Sequence, residues 1–288
     1  MKITDTFDRI PSIFSNGSFC PDQWERYAHS IHPELVNLCR EDVREAIATG
    51  QVSWEENYLP VLNAVISDDE KRKAVHASFL AAVNGLEQKI VSAFGRAPEV
   101  EIILYMGLCC GAGWVTELSG KTVVLLGLEK IMELNWHGMN AMLGLIYHEL
   151  GHVYQAQFGV LERELESERE SFLWQLFTEG ISMVFEQEVA GQPDTFHQYD
   201  AGWKAWCDDH FSEILRDFNA DLPTLTFAAQ RWFGDWVKYR GQGDVGYYLG
   251  CRFVRFILQK HAFDEIISFE IDQVEAAYQQ FIEQGGTA

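Results

Sequence analysis

The sequence has little positive charge for its length. Among 288 residues, 22 are lysine or arginine and 43 are aspartate or glutamate, which gives a formal net charge of −21. Because nucleic acids are polyanions, a protein surface of this sign repels them along most of its extent. The composition therefore excludes DNA and RNA as expected partners.

Long apolar runs are also missing. No stretch reaches 18 consecutive apolar residues, so the sequence predicts no membrane-spanning helix. The opening segment, MKITDTFDRIPSIFSNG, lacks a basic stretch followed by an apolar one, which is the pattern of an export signal. The six cysteines contain no C-x-x-C pair, which is typical of reduced thiols rather than of disulfides or a zinc ribbon. We therefore expect a cytoplasmic protein without a membrane partner.

Apolar residues are plentiful, at 47% of the chain, and can form a sizeable core. Apolar spacing of three to four predicts helices across 21–95, whereas residues 100–108 and 121–128 have the composition of two strands. Helical spacing returns in four later segments. These are residues 138–158, 161–190, 246–260 and 271–284. The order predicts a mainly helical α+β fold, with a helical N-terminal region at 1–98 and a second region at 99–288, packed as one bilobal unit.

The segment IYHELGHVYQAQFG places His148 and His152 four residues apart, with Glu149 beside the first. Positions i and i+4 share a helical face, about 6 Å apart, so both imidazoles can face one cation. Glu149 lies at the edge of that face, where it can take a proton from water without being a ligand. The alternative is a pair of core histidines. Glu149 is the single formal charge in 138–159, and such a carboxylate is costly unless it is paired or used, which favours a metal site.

A hydrolytic zinc site needs three protein ligands and one open position. The metzincin spacing requires Gly at 155 and His at 158, but the chain has Gln155 and Phe158, which excludes that branch. The segment SFLWQLFTEGISMVF contains one charge, Glu179, which is therefore the candidate third ligand. An internal hydrogen bond or salt bridge is the alternative use of this carboxylate, and Glu186 or His197 would then be the third ligand.

Other nearby glutamates are weaker ligand candidates. The alternating charges of LERELESERE, residues 161–170, are typical of a solvated helix face, and we interpret Glu186 and Glu188 in the same way.

HELGH followed by LWQLFTEGISMVFE resembles the gluzincin branch of zinc metallopeptidases, whose third ligand is a glutamate on a second helix. The segment YYLGCRFVRFIL is similar to the Y-x-x-G-x-x-x-x-R segment of aminopeptidase N-like gluzincins, with matches at Tyr247, Gly250 and Arg255. The three segments cover roughly residues 100–260. The nearest relatives are expected among bacterial zinc-dependent proteases whose substrates are mostly unknown.

The resemblance implies a zincin-like fold with a small sheet beside the HExxH helix, and a Zn²⁺ cofactor. It implies that His148, His152 and Glu179 hold the zinc, and that Glu149 is the general base acting on a water bound there. Tyr247, with Tyr248 as the fallback, would donate to the oxyanion of the intermediate. The expected substrate is a peptide or protein that pairs with an edge strand, 100–108 or 121–128.

The chain departs from the aminopeptidase N-like pattern in two places. Glu179 follows His152 by 27 positions, which is longer than in those enzymes and implies an inserted turn or an extended helix start. Trp114, in GAGWV, stands where they carry the glutamate that reads a free amino terminus, so aminopeptidase activity is not expected.

Two other functions fit the same residues. One is a non-catalytic binding or scaffold protein with a zincin fold, although such a module has no physical need for Glu149. The other is a zinc hydrolase acting on a non-peptide amide or ester, which would use the same water, base and oxyanion donor.

Overall fold

The computed structural model of the chain describes residues 1–50, 52–196, 201–234 and 236–285. It is a mainly helical α+β protein with a four-stranded mixed sheet and a separate two-stranded hairpin, which confirms the predicted fold class. Contacts divide it into two compact units, Met1–Glu149 and Leu150–Ala288. No helix in the part of the chain that the model describes is both long and apolar enough to cross a bilayer.

The strands are short. They are β1 Lys2–Asp5, β2 Phe14–Ser15, β3 Ser18–Phe19, β4 Glu101–Tyr105, β5 Gly113–Leu118 and β6 Lys121–Gly127. The α-helices fill most of the remaining chain. They are α1 Pro21–Ile31, α2 Leu35–Ala48, α3 Leu59–Ser67, α4 Asp69–Val83, α5 Leu86–Phe94, α6 Leu128–Glu133, α7 Met139–Phe158, α8 Glu168–Ala190, α9 Ala201–Asp209, α10 Phe211–Asp221, α11 Val245–Ile257, α12 Phe263–Ile266 and α13 Ile271–Glu283. Two 3₁₀ segments, Phe7–Ile13 and Leu222–Thr224, and a π-helical turn, Trp54–Tyr58, complete the order.

The sheet of the first unit has the strand order β1-β4-β6-β5, in which β5 alone is antiparallel to its neighbour. The two predicted strands form β4 and β6, which both lie inside the sheet. The prediction that one of them is the substrate-binding edge is therefore wrong, because β1 and β5 are the edges. The apolar runs that identified β4 and β6 are typical of strands with neighbours on both sides.

Both edge strands were missed in the sequence. β1 pairs in parallel with β4 from Lys2 to Asp5, so the region 1–98 is not wholly helical. β5 returns to β6 through Ser119 and Gly120, which both have positive φ, at 50° and 71°, as a tight two-residue hairpin requires. Glu34 accepts hydrogen bonds from the Ser119 backbone N–H and hydroxyl, each 3.0 Å, and these bonds lower the pKa of Glu34.

A buried carboxylate fixes the chain after β4. Glu129 is 1% exposed, and its two oxygens accept hydrogen bonds from the backbone N–H groups of Gly107 and Cys109, each 3.0 Å. Burial raises the pKa of Glu129 to about 7, and the backbone donors oppose that shift. The loop between β4 and β5 is thus held by a side chain from the helix that follows β6.

The second unit is built around α8. Its residues from Phe172 to Val189 are almost all buried, which explains the lack of a clear amphipathic pattern in this helix. The helix begins at Glu168, where Ser167 caps it by accepting the backbone N–H of Glu170, rather than at the predicted residue 161. The inserted turn that the long ligand spacing implied corresponds to the non-helical stretch 159–167.

Glycines let α11 cross α8 at very short range. A Cβ added at Gly180 would lie 2.2 Å from the carbonyl oxygen of Gly250, and one added at Gly250 would lie 2.4 Å from the carbonyl oxygen of Leu176. Because backbone atoms form the contact, no side-chain rotation can relieve such a clash. Gly180 follows Glu179 directly, so this crossing also fixes the position of the Glu179 backbone, from which the carboxylate extends.

We expect Gly250→Ala to lower the free energy of unfolding by about 1–3 kcal/mol, because overpacking outweighs the better helix propensity of alanine. Thermal and urea unfolding would measure the loss. Gly138→Ala is the matched control, since nothing lies within 4 Å of a Cβ added at Gly138. Equal stability of the Gly250 variant and the parent would mean that the helices separate at little cost.

Candidate metal centre

Helix α7 carries the HExxH segment in one unbroken stretch. Ile146, Leu150 and Val153 on this helix are fully buried, and His148 is buried with them at 5% exposure. Glu149 and His152 are half-buried. The helix thus presents two imidazoles from one face, as the four-residue spacing predicted.

A close contact with α8 brings the third side chain to this face. A Cβ added at Gly151 would lie 2.7 Å from the Cα of Ser182, so the two helices approach to backbone distance there. Glu179 precedes Ser182 by one helical turn and reaches back to His152, where its Oε2 lies 3.4 Å from Nε2. The absence of a side chain at Gly151 is therefore what allows α8 to place a carboxylate beside the histidine.

Donor atoms of three predicted ligands converge. Among the described residues, His148, His152 and Glu179 form the one group of three ligating side chains whose donor atoms lie within 4.8 Å of each other. Tetrahedral zinc with bonds of about 2.0–2.1 Å separates its ligand atoms by about 3.3 Å, close to the 3.4 Å between His152 and Glu179. The structure thus brings together the residues that sequence spacing selected.

The other ring nitrogen of His152 is also engaged. Its Nδ1 lies 2.9 Å from the hydroxyl of Ser182, a contact that orients the ring and directs Nε2 towards Glu179. Histidines that bind metals nearly always have such an outer partner on the nitrogen away from the metal. Sequence analysis missed Ser182, and its only signal was its position three residues after the predicted ligand.

Glu149 belongs to the first unit and lies against the edge strand β5. A Cβ added at Gly113 would lie 2.9 Å from Glu149 Cγ and 3.0 Å from Oε1, and another close contact would be Leu145. The sheet is therefore beside the HExxH helix, as predicted. Glu149 stands outside the converging ligand group, which leaves its carboxylate distinct from the candidate ligands.

The sequence predicted that the other glutamates near the site, which are weaker ligand candidates, lie on the surface. This prediction is right in part. Residues 161–170 are half-buried or exposed, and Arg163 and Arg169 pair with Glu270 and Glu275 across this surface. Glu188 is exposed and pairs with Arg255 at 2.6 Å. The prediction for Glu186 is wrong, because its side chain is 3% exposed on the face of α8 that packs inside the unit. His197, an alternative ligand by sequence, lies outside the described residues.

The two tyrosines at the start of α11 have different surroundings. Tyr248 is buried, and its hydroxyl donates to Asp208 at 2.7 Å, while burial and this bond raise its pKa. That hydroxyl already has a carboxylate acceptor, which argues against the fallback role. Tyr247 is half-buried, its ring packs edge-on against Phe233, and it lies one turn before Gly250 at the crossing with α8.

Comparison with known proteins found no match to a family model, to a curated protein sequence or to a solved structure. The quoted segments are therefore what links the chain to gluzincins, and the geometry of the candidate ligands is what favours a metal site.

We expect Ser182→Ala to weaken zinc binding by about 10–100-fold, because His152 loses the outer contact that orients its ring. Competition against a chromophoric chelator would measure the affinity. Thr178→Val is the matched control on the same helix, since the Thr178 hydroxyl donates to the Gln175 carbonyl at 3.3 Å instead. An affinity unchanged within twofold would show that Ser182 does not position the ligand.

Proposed function

We propose that the chain is a zinc-dependent peptidase of the gluzincin type. The single observation that carries the proposal is the convergence of His148, His152 and Glu179. Two imidazoles and one carboxylate are a known ligand set of hydrolytic zinc, whereas magnesium and calcium prefer oxygen ligands throughout. When bound, zinc would supply Lewis acidity that activates water and polarises a carbonyl group.

The general base in this proposal is Glu149. Its side chain lies next to the ligand pair in sequence but outside the converging group, which suits a carboxylate that handles protons rather than the cation. Glu149 would accept a proton from the attacking water and pass it to the leaving amine. The glycine at position 113 leaves room for that carboxylate at the strand edge.

A peptide substrate is favoured over a small ester or amide by the position of β5. This strand is a free edge of the sheet in the described residues, and its residue Gly113 contacts Glu149. An extended peptide adding to such an edge would have its backbone held by hydrogen bonds beside the base. The same contact weakens the case for a non-catalytic module, which has no need of a carboxylate there.

Tyr247 is the proposed donor to the oxyanion. Its half-buried ring is held by Phe233, and it begins the turn of α11 that leads to Gly250. A phenol fixed in this way can stabilise negative charge that develops on the carbonyl oxygen in the transition state.

We expect one zinc per chain and expect Glu149→Gln to retain it while losing at least about 10²–10⁴-fold in turnover, since the amide cannot accept a proton. Mass-spectrometric metal analysis would give the stoichiometry. A fluorogenic peptide library, with and without a chelator, would give the activity.

Glu188→Gln is the matched control, because Glu188 is exposed on α8 and pairs with Arg255. Normal turnover by zinc-loaded Glu149→Gln would refute the base assignment. Loss of zinc from this variant would show that Glu149 binds the metal or supports the fold. Absence of any bound zinc in the parent would refute the proposed function.

Tyr247→Phe should lower kcat by about 10²–10³-fold with KM little changed, the scale for losing one oxyanion donor. The ring remains, so its packing against Phe233 is kept. Steady-state kinetics on the best library peptide would separate kcat from KM. Tyr248→Phe is the control, and a kcat within a few-fold of the parent for both variants would remove α11 from the mechanism.

A further inference from the structure

A concave site lies in the first unit, lined by residues of β3, α1 and α2, by Trp54 and by Leu108 after β4. It is a cavity of about 350 Å³, at the lower end of the range for small-ligand pockets. Its walls are aromatic and aliphatic. They include Phe19, Trp24, Val43, Ile47, Trp54 and Leu108.

The walls of this pocket are held in place by contacts made elsewhere. The indole N–H of Trp24 donates to the Met106 carbonyl at 3.0 Å, and Trp54 stacks on Tyr58 with ring centroids 5.8 Å apart. The backbone N–H of Phe19 donates to the Asn63 side chain at 2.7 Å. Because these polar groups are already bonded, the walls present apolar surface to an occupant.

Leu108 adds a rigid wall from the loop after β4. The residues on either side of it, Gly107 and Cys109, donate their backbone N–H groups to the buried Glu129, each at 3.0 Å. The pocket is therefore preformed, and an apolar ligand would not have to order this loop on binding.

Among the described residues that line the pocket, the charged ones are two arginines, Arg40 and Arg44, four residues apart on α2. Arg40 binds Glu25 at 2.9 Å, and Arg44 lies 3.4 Å from Glu41. All four side chains are 45–71% exposed, so water screens these ion pairs. Replacing either glutamate by another carboxylate therefore costs little free energy. An anionic head group at the rim can take the place of Glu25 on the Arg40 guanidinium.

We propose that this pocket binds a small apolar monocarboxylate, with its hydrocarbon body between Trp24 and Trp54 and its carboxylate at Arg40 and Arg44. Both arginines already form exposed ion pairs with carboxylates, Glu25 and Glu41, so a carboxylate on a ligand would bind the same guanidinium groups in their place. The body of the ligand is either an acyl chain or an aryl-alkyl group, which share the same chemistry. The site is independent of the proposed peptidase centre.

Isothermal titration calorimetry of the full chain tests this site with four probes. Octanoate and 4-phenylbutyrate represent the two bodies, octanol has no charge, and acetate has no body. We expect at least one of the two carboxylates to bind at one site per chain, and the octanol and acetate affinities to be at least about tenfold weaker. Binding of one carboxylate and not the other identifies the body.

Two variants locate the binding. Ile47→Trp fills the cavity and should abolish carboxylate binding, and the double variant Arg40→Gln/Arg44→Gln should weaken it at least about tenfold. Arg216→Gln is the control, because Arg216 is an exposed arginine paired with Asp217 in the second unit. The double variant changes only exposed side chains, so it remains informative if Ile47→Trp unfolds.

The proposal is overturned if neither carboxylate binds, if octanol binds as tightly as octanoate, or if the double variant binds like the parent. A concentration-dependent dimer in sedimentation that Ile47→Trp dissociates would assign the pocket to a second copy of the chain, and would overturn it as well. Each of these results is independent of zinc content and peptidase activity.

Discussion

The contact between α7 and α8 at Gly151 is the constraint on which the candidate metal centre depends. Side chains normally keep helix axes about 8–10 Å apart. A side chain at position 151 would meet the Ser182 backbone, at 2.7 Å for its Cβ, and would push α8 and Glu179 away from His152. The glycine removes that spacer, so the Ser182 backbone and hydroxyl both come within reach. A second glycine pair, Gly180 and Gly250, allows the same close backbone contact between α8 and α11.

Helix α8 is buried among apolar side chains but also carries several polar groups. Burial stabilises the apolar side chains and is unfavourable for the polar ones. Burying a carboxylate costs several kcal/mol unless other groups pair with it. For Glu179 the contact with His152 at 3.4 Å supplies one partner, and a cation would supply more. The same conflict makes the helix look nearly uniform in hydrophobicity, although it carries the candidate third ligand and Ser182.

Much of this arrangement could be predicted from local sequence. The spacing of His148 and His152 depends only on helix geometry, and Glu179 was identified as a lone charge in an apolar run. Those signals are local, and the structure confirms the helices and the α+β class. The zinc, the base and the oxyanion donor stay predictions.

The features that were missed depend on pairing between distant segments. β1 and β5 have mixed polar sequences, and only their neighbours in the sheet make them strands. Glu186 resembled a surface residue because its charged neighbours did, but the face it occupies is set by packing within the unit. The acceptor of the Tyr248 hydroxyl lies 40 residues earlier in the chain, where no motif marks it.

The close packing of α7 against α8 also defines a composite sequence signature. HELGH supplies two candidate ligands, a candidate base and the glycine that admits the second helix. The string EGIS supplies the third candidate ligand, the glycine that admits α11 and the hydroxyl beside His152. Because steric space restricts the two glycines and hydrogen bonding restricts the serine, a search for remote relatives should require both strings together and leave the length between them free.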